Sequence, residues 1–280
     1  MPDGGFNGER VLSLESRRAK EIAQLIINNG GQPMVAPSAR EIPDGNAEEL
    51  KFAASLLQDQ FGAVIFMTGV GTRALVQAVE PVCSREQFVA ALIRTKVVAR
   101  GPKPSAALRE LGVPVTLNVP EPNTWREILQ VLDENVEIVP MNGKRVAVQE
   151  HGVPSPQLYA GLRERGAYVV PVHVYRWSLP EDISPLKEAI VAVTRNEIDV
   201  AMFTASVQVI HLFRIAEEMK LREELVRGLN CAVIASIGPV TSETLREYGI
   251  VIDMEPSHPK MGFLVKEAAE QSVALRRRKT

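Results

Sequence analysis

Four short segments of the chain combine residues suited to holding anions: Thr68-Gly69-Val70-Gly71-Thr72, Gly101-Pro102-Lys103, Thr204-Ala205-Ser206 and Gly238-Pro239-Val240-Thr241. Each follows a short apolar run and opens a helical stretch, so each reads as a strand-to-helix turn. At such a turn the first N–H groups of the helix lack an intrahelical partner and attract carboxylates or phosphates. Small residues let a ligand approach the main chain closely. Thr68, Thr204, Ser206 and Thr241 add hydroxyls, and Lys103 adds a cation beside a helix start. A single turn of this kind serves compact wiring more often than binding, but four matched turns shift the balance toward a binding surface.

Other chemistries lack their residues. Neither half contains GxxxxGK[ST], and Gly69-Val70-Gly71 lacks the third glycine and acidic partner of a dinucleotide fingerprint, so a nucleotide cofactor is disfavoured. His151, His173, His211 and His258 are scattered without metal-ligand spacing, so each reads as an ordinary surface or core histidine and no metal is expected. Ser16, Ser206 and Ser242 lack a GxSxG elbow, which leaves hydrolase chemistry without support. Cys83 and Cys231 are two thiols in 280 residues, with neither a CxxC motif nor a disulfide framework, as suits a reducing cytoplasm. The formal charge of -2 is not the footprint of a nucleic-acid binder. The opening MPDGGFNGER is not that of a signal peptide, and no apolar stretch approaches the ~20 residues that span a bilayer. A soluble protein that binds neither nucleic acid nor membrane is the expectation.

An internal repeat supplies the elements that would position the turns. Gly8-Glu9-Arg10-Val11 matches Gly143-Lys144-Arg145-Val146 at an offset of 135. In each copy an apolar run leads into a helical stretch, Arg17 to Asn29 or Pro156 to Arg165, closed by glycine and followed by a second strand, Met34-Val35-Ala36 or Tyr168-Val169-Val170. The match continues from Ala63-Val64-Ile65-Phe66-Met67 to Val200-Ala201-Met202-Phe203. It ends with Gly101 to Gly112 beside Gly238 to Gly249, the offset having drifted to 137. Continuous apolar strands alternate with helices throughout, so the sheets are expected to be parallel, in two similar doubly wound α/β domains. In such sheets ligands gather beyond the carboxyl ends of the strands, where the four turns fall.

Pro120-Glu121-Pro122-Asn123 and the segment from Glu255 to Lys260 read as loops, because proline excludes helix there. Val172-His173-Val174-Tyr175-Arg176-Trp177 alternates as a strand and could connect domains, with Tyr175 and Arg176 on opposite faces; on the residues alone, Tyr175 and Trp177 packing a linker is the favoured reading. The basic tail Leu275 to Lys279 reads as a solvated helix end.

Taken in order, Arg10-Val11-Leu12, Val64 to Ala74, Gly101-Pro102 with Ala106-Ala107-Leu108, Val174-Tyr175-Arg176, Phe203 to Ser206 and Ile237 to Thr241 resemble the uroporphyrinogen-III synthase family over nearly the whole chain. The resemblance implies that the chain crosses between domains twice. Residues 1–38 and 176–280 would form one discontinuous domain and 41–172 an inserted one, with linkers near 37–43 and 172–177 and the active site in the interdomain cleft. It further implies a cofactor-free cyclising lyase that closes hydroxymethylbilane to uroporphyrinogen III, with loss of water and inversion of the last ring. The substrate would be handed over from porphobilinogen deaminase to a cytoplasmic monomer. Folding a flexible octacarboxylate so that the substituted carbon is attacked first is a problem of orientation. Backbone amides at glycine-rich turns suit that work without a strongly basic protein.

By the same resemblance Tyr175 is the phenol that assists loss of the hydroxyl group, in a contributory role. Thr241 is a threonine at the cleft, and Thr68, Gly69, Gly71, Gly101, Thr204, Ser206, Gly238 and Val240 lie in binding loops. Arg17, Lys103 and Lys260 sit on expected cleft loops and would meet carboxylates, with a solvated basic side chain the equal alternative for each. The chain departs from the family pattern at Leu14-Glu15-Ser16-Arg17, with Glu15 where arginine is usual, at Lys103-Pro104 and at Ala205, which puts the carboxylate contacts of the first strand in question. A reading from another class is a non-catalytic two-lobed binding or sensor protein for a tetrapyrrole or other polycarboxylate.

Overall fold

The computed structural model describes residues 5–43, 47–150, 152 and 154–279; His151 lies outside the described residues. The first repeat gives β1 (Arg10–Ser13), α1 (Ala19–Asn28), β2 (Gln32–Val35), β3 (Arg40–Pro43), α2 (Ala47–Leu57) and β4 (Ala63–Phe66). It continues through α3 (Gly69–Val79), α4 (Arg85–Arg94), β5 (Lys96–Ala99), α5 (Pro102–Glu110), β6 (Leu117–Asn118) and α6 (Trp125–Glu134). The second gives β7 (Arg145–Gln149), α7 (Pro156–Glu164), β8 (Tyr168–Val172), β9 (Tyr175–Ser178), α8 (Ser184–Thr194) and β10 (Val200–Phe203). Then come α9 (Ser206–Glu218), α10 (Arg222–Cys231), β11 (Val233–Ser236), α11 (Pro239–Glu247) and α12 (Met261–Arg276). None of these helices is long and apolar enough to cross a membrane.

The repeats are not the structural units. One unit comprises residues 1–40 and 178–280, the other residues 41–177, and β3 and β9 pair as a two-stranded sheet where the chain passes from one to the other. Each unit mixes the repeats. The first holds a parallel sheet in the order β11-β10-β1-β2 and the second a parallel sheet in the order β6-β5-β4-β7-β8, so β1·β10 and β4·β7 are the pairings that join one repeat to the other.

Alternation along the strands explains why each sheet is covered on both faces. In the first unit Leu12, Ala201, Phe203 and Ile234 pack with α8, α9 and α10, while Val11, Val200, Met202 and Val233 face α1 and α12. In the second, Val64, Phe66, Val97 and Ala147 pack against α2, α3 and α4, and Ala63, Ile65, Val98 and Val146 against α6 and α7. Proline in the first turn sets the starts of α5, α7, α8 and α11, and capping boxes at Ser84 and Thr124 fix α4 and α6.

The basic tail is a solvated helix end, exposed at Arg276, Arg277 and Arg278, in which two cations also find carboxylates. Arg276 pairs with Asp199 at 2.6 Å, and Lys279 pairs with Asp253 at 2.6 Å while donating to the Ala232 carbonyl at 2.5 Å. These carboxylates lie just before β10 and beyond β11, and a cation there offsets charge that the sheet would otherwise half-bury.

Candidate functional site

In the second unit, the turn after β4 is built by one side chain. Thr68 has extended backbone and caps α3, its Oγ1 accepting from the Gly71 N–H at 3.0 Å. The same oxygen lies 3.4 Å from the phenolic oxygen of Tyr175, which is itself only 5% exposed. Tyr175 is held edge-on against Trp177, ring centroids 5.7 Å apart, and Gly152 leaves the space that its ring fills: a Cβ at Gly152 would stand 2.7 Å from Tyr175 Cε2. The linker-packing reading of Tyr175 and Trp177 is thus half of the observation, because the packed phenol also reaches the helix cap.

The turn after β5 joins the same edge. Gly101 takes φ 87°, open to glycine at little cost, and a Cβ there would meet the Asn123 amide. A Cβ on Gly69 would lie 2.5 Å from the Lys103 carbonyl oxygen, so the starts of α3 and α5 touch through a glycine. The Lys103 side chain is exposed. Thr68, Gly69, Gly71, Gly101, Lys103 and Tyr175 are therefore brought to one end of one sheet.

Three further residues at this end were not foreseen from the sequence. Gln149, fully buried at the end of β7, accepts from the Thr68 N–H at 3.3 Å, so that amide is already occupied. Glu150, 3% exposed, accepts from the Tyr159 hydroxyl and lies 2.8 Å from His173 Nε2, while His173 Nδ1 contacts Glu48. Burial and then the hydrogen bond to Glu150 push the Tyr159 phenol well above its ordinary range. His173 is thus not an ordinary surface histidine but a bridge between two carboxylates. Arg100, the last of the three beside Gln149 and the Glu150–His173 pair, ends the apolar run of β5, and its backbone N–H is tied to the Phe66 carbonyl at 2.9 Å. The available signal was position: polar residues directly following apolar strands that end at the same sheet edge.

In the first unit the turns are arranged differently. Thr204 donates from Oγ1 to Glu15 at 2.5 Å, its N–H is taken by Gln208 Oε1 at 2.8 Å, and Gln208 Nε2 returns a bond to Thr204 Oγ1 at 2.8 Å. A buried glutamine therefore closes the threonine N–H in both units, Gln149 in one and Gln208 in the other. An unmet N–H at a half-buried turn is costly, and in both units a glutamine carbonyl supplies the bond. Ser206 begins α9, and Thr241, 4% exposed, lies in the first turn of α11 after Gly238 and Val240. Gly238 faces Pro259, which brings Lys260, the exposed residue preceding α12, near that turn; Arg17 is exposed beyond Glu15. His211 is buried under this sheet, its Nδ1 2.7 Å from the Ser38 carbonyl, and burial holds its pKa below the ordinary value.

The family model for uroporphyrinogen-III synthase HemD matches residues 20–266. The chain belongs to the uroporphyrinogen-III synthase family. It is 30% identical over 95% of its length to YjjA of Bacillus subtilis, an uncharacterised protein of which it covers 97%. It is 32% identical over 83% of its length to a Methanothermobacter thermautotrophicus protein, provisionally named as a uroporphyrinogen-III synthase, of which it covers 87%. Among solved structures, a mutant uroporphyrinogen III synthase of Thermus thermophilus superposes with a TM-score of 0.72 at 26% identity, covering 95% of this chain and 99% of that one.

Proposed function

We propose that this protein is a uroporphyrinogen-III synthase, a cyclising hydro-lyase that converts hydroxymethylbilane to uroporphyrinogen III with inversion of the terminal ring. The observation that carries the reading to individual residues is the Tyr175 phenol beside Thr68 at the capped start of α3. Loss of the substrate hydroxyl as water needs a proton, and a phenol within reach of the leaving oxygen can give one. The oxygen left negative then lies at a helix N-terminus, where the peptide dipoles favour that charge. Gly69, Gly71 and Gly101 let the substrate come close to the backbone there. Thr204, Ser206, Gly238, Val240 and Thr241, with Arg17, Lys103 and Lys260, are the further proposed contacts for its carboxylates.

The same reading gives a cytoplasmic monomer that needs no cofactor and receives its unstable substrate from porphobilinogen deaminase. The deciding experiment supplies porphobilinogen and the deaminase to purified protein, oxidises the products and separates type I from type III uroporphyrin by chromatography. Predominantly type III isomer supports ring-inverting cyclisation. Type I at the level given by the deaminase alone overturns it and leaves a tetrapyrrole-binding role as the reading to test next.

A further inference from the structure

Several surface arginines have carboxylate partners, as with Arg73 and Glu110 at 2.8 Å, or Arg10 and Glu197 at 3.0 Å. Arg100 is the reverse. Its side chain is partly buried and its Nε is sealed from water, yet among the described residues no group accepts a hydrogen bond from its guanidinium and no carboxylate pairs with it. Arginine is rarely withdrawn from water without a partner, because a desolvated cation left uncompensated costs stability. Burial here works against the charge, pushing the guanidinium pKa down, and the acidic neighbour acting on it is the Tyr175 phenol. The backbone bond from Arg100 to Phe66 fixes the residue beside the end of β4, two residues before Thr68 and its cap, and Gly101 at φ 87° turns the chain away immediately after it. A cation, a phenol and a capped helix start thus share one end of one sheet.

We infer that Arg100 is a substrate-binding residue whose guanidinium takes one side-chain carboxylate of the linear tetrapyrrole and so sets the terminal hydroxymethyl carbon against Tyr175. The inference rests on the synthase reading above. A planar guanidinium grips a carboxylate through two parallel hydrogen bonds, which fixes orientation as well as position, and orientation is what this cyclisation requires. Retaining an unpaired cation in the free protein fits a site whose counter-ion arrives with the substrate, since binding sites commonly sacrifice stability for function.

The test compares the parent with Arg100→Gln and Arg100→Lys in three measurements: steady-state kinetics on hydroxymethylbilane, melting temperature without substrate, and binding of uroporphyrin III followed by quenching of tryptophan fluorescence. For Arg100→Gln, KM is expected to rise tenfold or more with kcat within about threefold, and the melting temperature to stay level or rise. Arg100→Lys should fall between, since it keeps the charge and loses the fork. A KM within twofold of the parent for Arg100→Gln overturns the inference, as does a melting temperature lowered by several degrees in both variants, which would mark a structural role. If the parent itself makes no type III isomer, the synthase reading fails alone. Uroporphyrin binding then judges Arg100: a tenfold loss in Arg100→Gln keeps it as a carboxylate site, and unchanged binding removes it.

Discussion

The hydroxyl of Thr68 stands 3.4 Å from the phenolic oxygen of Tyr175, 107 residues further along the chain, while accepting from the Gly71 N–H that starts α3. One side chain therefore ties the proposed proton donor to a helix N-terminus. Replacing Tyr175 by phenylalanine keeps the ring packed on Trp177 and Gly152 and removes only the oxygen. The expected result is a fall in kcat of about 10–100-fold with KM within about threefold, in keeping with a contributory general acid. Rates of type III uroporphyrinogen formation measure it, and a fully active variant would remove Tyr175 from the proton transfer.

Gly71 is buried where Thr68 and Gln149 converge, and a Cβ there would stand 2.6 Å from Gln149 Cδ and 2.8 Å from Thr68 Oγ1. Gln149 is fully buried and cannot yield. Gly71→Ala should lower stability by about 1–3 kcal/mol through overpacking and, by disturbing the cap, reduce kcat/KM roughly tenfold. Gly262→Ala is the control: nothing lies within 4 Å of its Cβ, so melting and kinetics should match or slightly exceed the parent.

Glu15 places a carboxylate on the hydroxyl of Thr204, a residue proposed to meet an anionic substrate. Glu15→Gln removes the charge and keeps an acceptor for that hydroxyl. KM for hydroxymethylbilane should fall about two- to fivefold, most at low ionic strength where charge repulsion is least screened. An unchanged KM at low salt would mean that the Thr204 turn does not meet the substrate.

His211 is held neutral in the folded protein because burial lowers its pKa from 6.5. The unfolded chain takes up a proton at this position as the pH drops below about 6.5, whereas the folded one does so only further down. The contribution of His211 is therefore complete above that pH and is lost as the pH falls toward the folded value. Melting temperatures of the parent should drop between pH 7 and pH 5.5 by more than those of His211→Gln, and equal drops would show that the imidazole is not the group responsible.

The α/β class and the four turns were legible because apolar runs ending in Thr-Gly, Gly-Pro or Thr-Ala-Ser are local patterns. The gathering of Thr68, Gly71 and Tyr175 was legible only through family resemblance, since 107 residues separate Thr68 from Tyr175. Gln149 and Gln208 escaped notice for the opposite reason. A glutamine at a strand end or in the first turn of a helix carries no signal of its own, because its role depends on which backbone N–H the fold brings to it. Glu15 was visible as a departure, but its bond to Thr204 depends on β1 pairing with β10, a long-range choice that no local pattern records.

The crossed assembly of the repeats also orders the birth of the molecule. Residues 41–177 are contiguous, so their sheet can close while the rest of the chain is still being synthesised. The register that sets Val11 against Val200 cannot form until β10 has been made. At about 5–20 residues per second the first strand must therefore wait on the order of 10–40 s for its central partner, with the apolar faces of β1 and α1 unsheltered. A free chain truncated after residue 180 should accordingly protect the inserted unit from proteolysis and leave its first 40 residues open to cleavage.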